Sequence, residues 1–319
     1  MHVYVSLATL FVLRGEKLPR WMRRVAYLLM DGKCVATCAY CELSGAPVAG
    51  ERVKLSRVTW YKVDLREIVS ALSEFERVCI QTVIGPNMGR KLVQLVRIIA
   101  RVNPRISVSI AVAGKPLLEE LRDEGVETLG IGLDAATPRL AMKLGKPYPY
   151  SLYMRTLRDA VEVFGDRRVY VHLIVGVGEK ASELAATMRH VKRLGGRIAL
   201  FAYTPSAKLG GKPPSLCYYR GAQLYRQLLD EGVNPDSYIT PSPFNPQGWV
   251  LKRTPPLEIV ERAIVTSGCP ACNRPYYNER PRGTLYNIPW EPDKREVYEA
   301  LEALRACGES NYSNLVTSI

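Results

Sequence analysis

Nowhere in the 319 residues do about 18 apolar side chains follow one another, so no segment is expected to cross a bilayer as a helix. Val3–Leu13 is nearly apolar, but it has no basic segment before it and no small-residue cleavage site after it, so it is not expected to be an export signal. It reads instead as a short element packed on the body of the protein. Histidine is scarce, with three residues in all, and His172 and His190 offer no local spacing for a zinc site. No internal repeat appears beyond an alternation of strand-like and helix-like segments, and no low-complexity tract. These absences set aside membrane insertion and secretion, and a cytoplasmic location is expected.

What is present is a globular composition, 47% hydrophobic and 24% charged. Lys and Arg number 44 against 31 Asp and Glu, a formal net charge of +13. That excess suits an acidic partner, whether nucleic acid, an anionic cofactor or an acidic protein, or simply a solvated basic surface. The eight cysteines are Cys34, Cys38, Cys41, Cys79, Cys217, Cys269, Cys272 and Cys307. Five of them fall in two tight clusters. In a large chain with no export signal, clustered thiols point to metal more than to a disulfide framework.

Six β-branched segments predict strands: Val25–Met30, Val78–Ile84, Ile106–Val112, Thr128–Leu133, Val169–Val175 and Arg197–Tyr203. Helical spacing follows several of them, as in Leu92, Leu95, Val96 and Ile99, with Pro104 ending that run. Further helices are predicted at Pro116–Arg122, Leu152–Phe164 and Ser182–Leu194. The alternation predicts an α/β fold of parallel βαβ units, either doubly wound or a barrel. From Leu209 the character changes. A Gly-Gly-Lys-Pro-Pro loop, a helix at Tyr218–Glu231, a proline-rich stretch and a last helix, Lys294–Cys307 stopped at Gly308, make up an irregular C-terminal extension. The division is residues 1–22 as an N-terminal segment, 23–208 as the core and 209–319 as the extension.

Cys34, Cys38 and Cys41 follow the first strand directly. Three thiolates within eight residues reach three corners of one iron–sulfur cube and leave the fourth iron without a protein ligand from this loop. An open corner lets a small molecule bind the metal, whereas an electron carrier normally closes it with a fourth cysteine. The alternatives are a zinc site completed by a distant ligand, or a cubane that only carries electrons.

Cys-x3-Cys-x2-Cys with Tyr40 just before the last cysteine resembles the signature of the radical S-adenosylmethionine superfamily. The resemblance implies a partial (β/α)6 TIM-like barrel, a 4Fe–4S cluster on Cys34, Cys38 and Cys41, and S-adenosylmethionine chelating its open iron. It also implies cofactor contacts from Tyr40 and from the turn Gly85-Pro86-Asn87 after the second strand, where the usual Gly-Gly-Glu is absent. Gly176, Gly178 and Glu179 after the fifth strand are similar to the Gly-x-Gly-Glu element of biotin synthase-like enzymes, near the adenosyl group. Asp134 at the end of the fourth strand is placed toward the ligand, with helix capping as the alternative. His172 reads as a core or rim histidine, and Cys79 as a buried core thiol.

Cys269 and Cys272 have the spacing of two ligands to one centre. A second iron–sulfur cluster is one reading, with Cys217, Cys307 or a partner completing it. Half a zinc site, a redox dithiol and a reducible disulfide are the others. Arg274 and Arg280 are candidates to anchor a carboxylate or to pair with Glu279. Across roughly Tyr27–Pro289 the chain is similar to the biotin synthase-related group, and most similar to one subunit of the two-protein lipoyl synthases. That likeness implies sulfur insertion into an octanoyl chain on an acidic carrier protein, a second radical enzyme subunit as partner and an external electron donor. No cysteine triplet precedes Cys34, unlike single-chain lipoyl synthases, and no companion cysteines stand on the third and fifth strands. The alternatives are an RNA-modifying radical enzyme, which the charge favours, and a non-catalytic iron–sulfur or zinc subunit of a complex.

Overall fold

Val25–Met30 is buried along its whole length, and strand after strand adds beside it to make the sheet around which the chain is built. The computed structural model describes residues 1–45, 50–280 and 282–316, with the side chains of the last helix as far as Ala306. In chain order the first half runs β1 (His2–Ser6), α1 (Leu7–Leu13), β2 (Val25–Met30), β3 (Arg52–Leu55), β4 (Val58–Asp64), α2 (Leu65–Ile68), β5 (Arg77–Gln81), α3 (Met88–Ala100), β6 (Ile106–Ile110), α4 (Lys115–Asp123), β7 (Val126–Asp134), α5 (Pro138–Lys143) and α6 (Tyr150–Phe164). Then come β8 (Val169–Val175), α7 (Ala181–Arg193), β9 (Arg197–Ala202), α8 (Leu216–Asp230), β10 (Ile239–Pro241), β11 (Trp249–Leu251), α9 (Leu257–Ile264) and α10 (Lys294–Val316).

The main sheet is ordered β3-β4-β1-β2-β5-β6-β7-β8-β9. β2 and β5 to β9 are parallel, each joined to the next through helices, and form a partial TIM-like barrel. β1 and β4 extend the sheet antiparallel beyond β2. The Val3–Leu13 stretch is thus a strand of the main sheet followed by a helix. The β3–β4 hairpin had no counterpart among the expected strands. The six expected strands all form, with β5, β6 and β9 ending one to three residues earlier than the apolar runs suggest. The last helix continues past Gly308, where a stop was expected.

The helices form because their apolar residues recur at i, i+3 and i+4. In α3, Leu92, Val93, Leu95, Val96 and Ile99 are all buried against the sheet. Each such side chain contributes about 1.5–3 kcal/mol by leaving water, and Leu95→Ala should cost roughly 2–5 kcal/mol. Thr137 caps α5 by accepting the Leu140 amide at 3.1 Å, with Pro138 opening the helix. α6 ends at Gly165, whose φ of +88° a side chain would resist.

The inner face of the barrel departs from aliphatic packing. Val78, Ile80, Ile106, Val108, Leu129 and Ile131 point outward into the helical layer. Their neighbours Cys79, Gln81, Ser109 and Gly132 line the interior chambers. Small and polar residues on that face leave a cavity where larger side chains would fill it. Among the described residues the C-terminal extension holds three α-helices, a short 3-10 turn at Pro235–Ser237, the β10–β11 hairpin and irregular stretches between.

Candidate active site

Two connected chambers occupy the barrel. The upper one, of about 480 Å³, lies at the C-terminal ends of the strands, and the lower one, of about 420 Å³, lies deeper. Gln81, Ser109, His172, Phe201 and Tyr277 border both and form the layer between them.

Cys34, Cys38 and Cys41 all line the upper chamber, and none is in a disulfide. Their loop is tied down on three sides. The Val35 amide donates to Ile84 O at 2.8 Å, the Ala39 amide to Leu144 O at 2.9 Å, and Ser206 Oγ to Ala39 O at 2.7 Å. Gly145 is needed at φ +69°, because a Cβ there would meet Thr37 O at 2.9 Å. Burial pushes the Cys38 thiol above its ordinary value and the Cys41 thiol up to about 12. Protons must therefore leave when metal binds. Among the described residues no three His, Cys, Asp or Glu side chains stand close enough to hold a single metal ion. The corners of a cubane are further apart than the ligands of one ion. Three free soft donors on one anchored loop fit a 4Fe–4S cluster, and they would be its ligands.

Asp134 faces the same chamber. It ends β7 at φ +65°, a left-handed conformation that aspartate tolerates, and the register shifts there against β8. Its Oδ2 accepts from Tyr40 Oη and from Lys146 Nζ, both at 2.5 Å. Lys146 also donates to Gly132 O at 2.7 Å. Burial works against the Lys146 charge, yet neighbouring Asp134 more than offsets it and holds the ammonium above its ordinary value. Burial, reinforced by Asp134, keeps the Tyr40 phenol well above its own. Thr137 serves as the helix cap, so the capping alternative for Asp134 does not hold. Lys146 was not among the residues singled out from the sequence. Its distance of twelve residues from Asp134 gives no local pattern.

The other expected cofactor residues sit differently. Gly85, Pro86 and Asn87 lie behind the cysteine loop and outside the chamber lining. A Cβ on Gly85 would stand 3.0 Å from Lys33 O, and Asn87 takes φ +58° to open α3. Gly176, Gly178 and Glu179 also lie outside the lining. The Glu179 carboxylate accepts the Gly176 and Val177 amides at 2.7 and 3.0 Å and the Tyr218 hydroxyl at 2.9 Å, so it organises its own loop.

The loop Ser267–Tyr277 closes the gap between β9 and β2. Ser267 Oγ accepts the Leu200 amide from the edge of β9 at 2.8 Å. On the other side the Tyr27 hydroxyl accepts the Asn273 and Arg274 amides at 3.1 and 2.8 Å and donates to Asn273 Oδ1 at 3.0 Å. Ala271, Arg274 and Tyr276 take positive φ, which winds the loop tightly. Cys269 and Cys272 line the lower chamber, and so does Cys79 from β5. All three are free thiols. Cys79 is buried, as expected of a core thiol, but its side chain faces this chamber and the outer core lies behind it. Cys217 is disulfide-bonded, which removes it from the candidates to complete the second centre. The Cys307 side chain lies outside the described residues.

Arg274 does not pair with Glu279. Its guanidinium lies 3.7 Å over the Phe201 ring and donates to Leu200 O and Ser267 O. Glu279 instead accepts from Asn287 and the Asn278 amide. His172 is half-buried against Phe201, and its desolvation there lowers it to about 4. Among the described residues no helix is long and apolar enough to cross a membrane.

The family model for the radical SAM superfamily matches residues 30–191, just over half of the 319. Among solved structures, the [FeFe]-hydrogenase maturase HydG is similar, with 15% identity over 76% of this chain and 55% of that one, at a TM-score of 0.52. HydG from Carboxydothermus hydrogenoformans shares 14% over 94% and 77%, also at 0.52. Methylornithine synthase, PylB, shares 15% over 66% and 63%, at 0.51. These likenesses are of fold, and the chain spans 55% of the length of the first HydG structure and 63% of that of PylB. No curated protein matches the sequence.

Proposed function

Since this chain belongs to the radical SAM superfamily, we propose that it inserts sulfur into an unactivated C–H bond of an aliphatic chain. A 4Fe–4S cluster and S-adenosylmethionine are the cofactors of the family. When bound, they supply a one-electron cleavage that yields a 5′-deoxyadenosyl radical.

The observation that carries the reading is the second group of thiols, Cys269 and Cys272, in the same barrel as the first and one side-chain layer below it. Cys34, Cys38 and Cys41 would hold the cluster. Asp134, fixed by Tyr40 and Lys146, presents a carboxylate to the cofactor's hydroxyl or amino groups. Gln81, Ser109, His172 and Phe201 border the space between the two sites, and neutral His172 brings no charge there. Cys269 and Cys272 would hold an iron–sulfur group that would supply sulfide to a substrate carbon radical and take up on its iron the one electron that C–S bond formation releases.

The lower chamber suits an aliphatic substrate. Leu7, Ala8, Phe11, Leu18 and Met22 wall its N-terminal side. An octanoyl chain on an acidic carrier would match this lining and the +13 charge. A second radical enzyme subunit, an external electron donor and a cytoplasmic setting complete the proposed system. Anaerobic reaction with dithionite and S-adenosylmethionine should give 5′-deoxyadenosine, and with octanoyl-carrier a sulfur-containing product. Cys269→Ala should keep the first outcome and lose the second. 5′-Deoxyadenosine without any sulfur product in the presence of both subunits would refute sulfur insertion.

The charge favours a second reading, an RNA-modifying radical enzyme. It predicts tight RNA binding that weakens steeply as salt rises.

A further inference from the structure

We infer that Cys79, Cys269 and Cys272 together form a second iron–sulfur site, with Arg274 as its buried counter-charge. The inference rests on reading the Cys269 loop as cluster-binding, but not on what that cluster does. Three thiols from two distant parts of the chain face one chamber, and all are free. Cys79 is reached by register: in β5 it pairs Tyr27 on one side and Ser107 on the other. Tyr27 is the residue that anchors the Cys272 loop, with its hydroxyl 3.9 Å from Cys272 Sγ. Ser107 and Thr128 stand beside Cys269 at the far end of the same level. One row of strand residues therefore carries a thiol and the two supports of the loop that brings the other thiols.

Arg274 supplies a second, independent observation. Its Nε and Nη1 atoms are buried and have no hydrogen-bond partner. Among the described residues it makes no ion pair with a carboxylate. A buried cation without an anion is costly. The chamber it borders contains three thiols and no carboxylate close enough to pair with it. Three thiolates around an iron–sulfur core give that guanidinium the anionic acceptor it lacks. The same three thiols, protonated, would leave it uncompensated.

The test uses the full chain with Cys34, Cys38 and Cys41 all changed to Ala, reconstituted anaerobically with iron and sulfide. This chain should still hold about four iron and four sulfide. Adding Cys79→Ala should lower both counts at least about twofold, as adding Cys269→Ala should, while circular dichroism stays unchanged. Full iron content after Cys79→Ala, with loss after Cys269→Ala, would overturn the role of Cys79 and spare the loop reading. No iron and sulfide in the triple variant, or zinc in their place, would overturn both. Should Cys79→Ala fail to fold, Arg274→Gln is the second arm. It should move the reduction potential of the second site to more negative values, because a nearby positive charge is lost. An unchanged potential would overturn the role of Arg274.

Discussion

Lys146 Nζ lies 2.5 Å from Asp134 Oδ2, and both side chains are largely shielded, at 4% and 16% exposure. Asp134→Asn would leave the ammonium buried beside a neutral amide. Breaking such a pair from one side costs roughly 3–5 kcal/mol. Thermal melts should show that loss, and Asp134→Asn with Lys146→Met should recover much of it. Equal melting of the single and double variants would show that the pair is not coupled.

Tyr27→Phe removes one oxygen that serves two backbone amides. The Asn273 and Arg274 N–H groups would be left buried and unpaired, at roughly 1–3 kcal/mol. Hydrogen exchange at residues 272–274 should speed up, and iron bound by the lower site should fall. The upper site should keep its iron, since Tyr27 borders only the lower chamber.

His172 gives a pH dependence. Its folded value is about 4 against an ordinary 6.5, with burial as the main cause. The unfolded chain takes up the proton first as pH falls, so the stability is complete above 6.5 and is lost as pH falls from 6.5 towards 4. The size is on the order of 3 kcal/mol. His172→Gln should flatten this part of the stability–pH profile, measured by denaturant melts. An unchanged slope would show that the imidazole titrates alike in the folded and the unfolded chain.

Gly130→Ala would place a Cβ 2.7 Å from His172 Nε2 and 2.9 Å from Ser109 Oγ. Overpacking of this kind costs typically 1–3 kcal/mol. The ring must tilt into the layer between the chambers. The expected result is a lower melting temperature together with weaker substrate turnover, while iron content is unchanged.

The first cysteine loop and the six parallel strands were legible because their signals are local. A motif fits within eight residues, and a strand's apolar run within seven. The site's long-range parts were not. Asp134 and Lys146 meet because a bulge turns one carboxylate inward. Tyr27 reaches Asn273 across 246 residues. Cys79 has the burial of any core thiol, and burial alone does not tell which face of a strand it occupies. A period-two signal was available in Ile106-Ser-Val-Ser-Ile110, where serines alternate with aliphatics and mark the open interior. Glu179 looked like a ligand contact because its glycines suggest close approach. Its carboxylate satisfies those same glycine-rich backbone amides instead. β1 was hidden because a strand buried on both faces has no alternation to read.

The most direct measurement follows sulfur itself. The chain is rebuilt anaerobically with isotopically heavy sulfide, then given S-adenosylmethionine, a reductant, its partner subunit and an octanoylated carrier. Mass spectrometry of the acyl chain should show heavy sulfur on carbon, with one 5′-deoxyadenosine formed for each C–H bond broken. Abundant 5′-deoxyadenosine with an acyl chain free of sulfur would contradict the account.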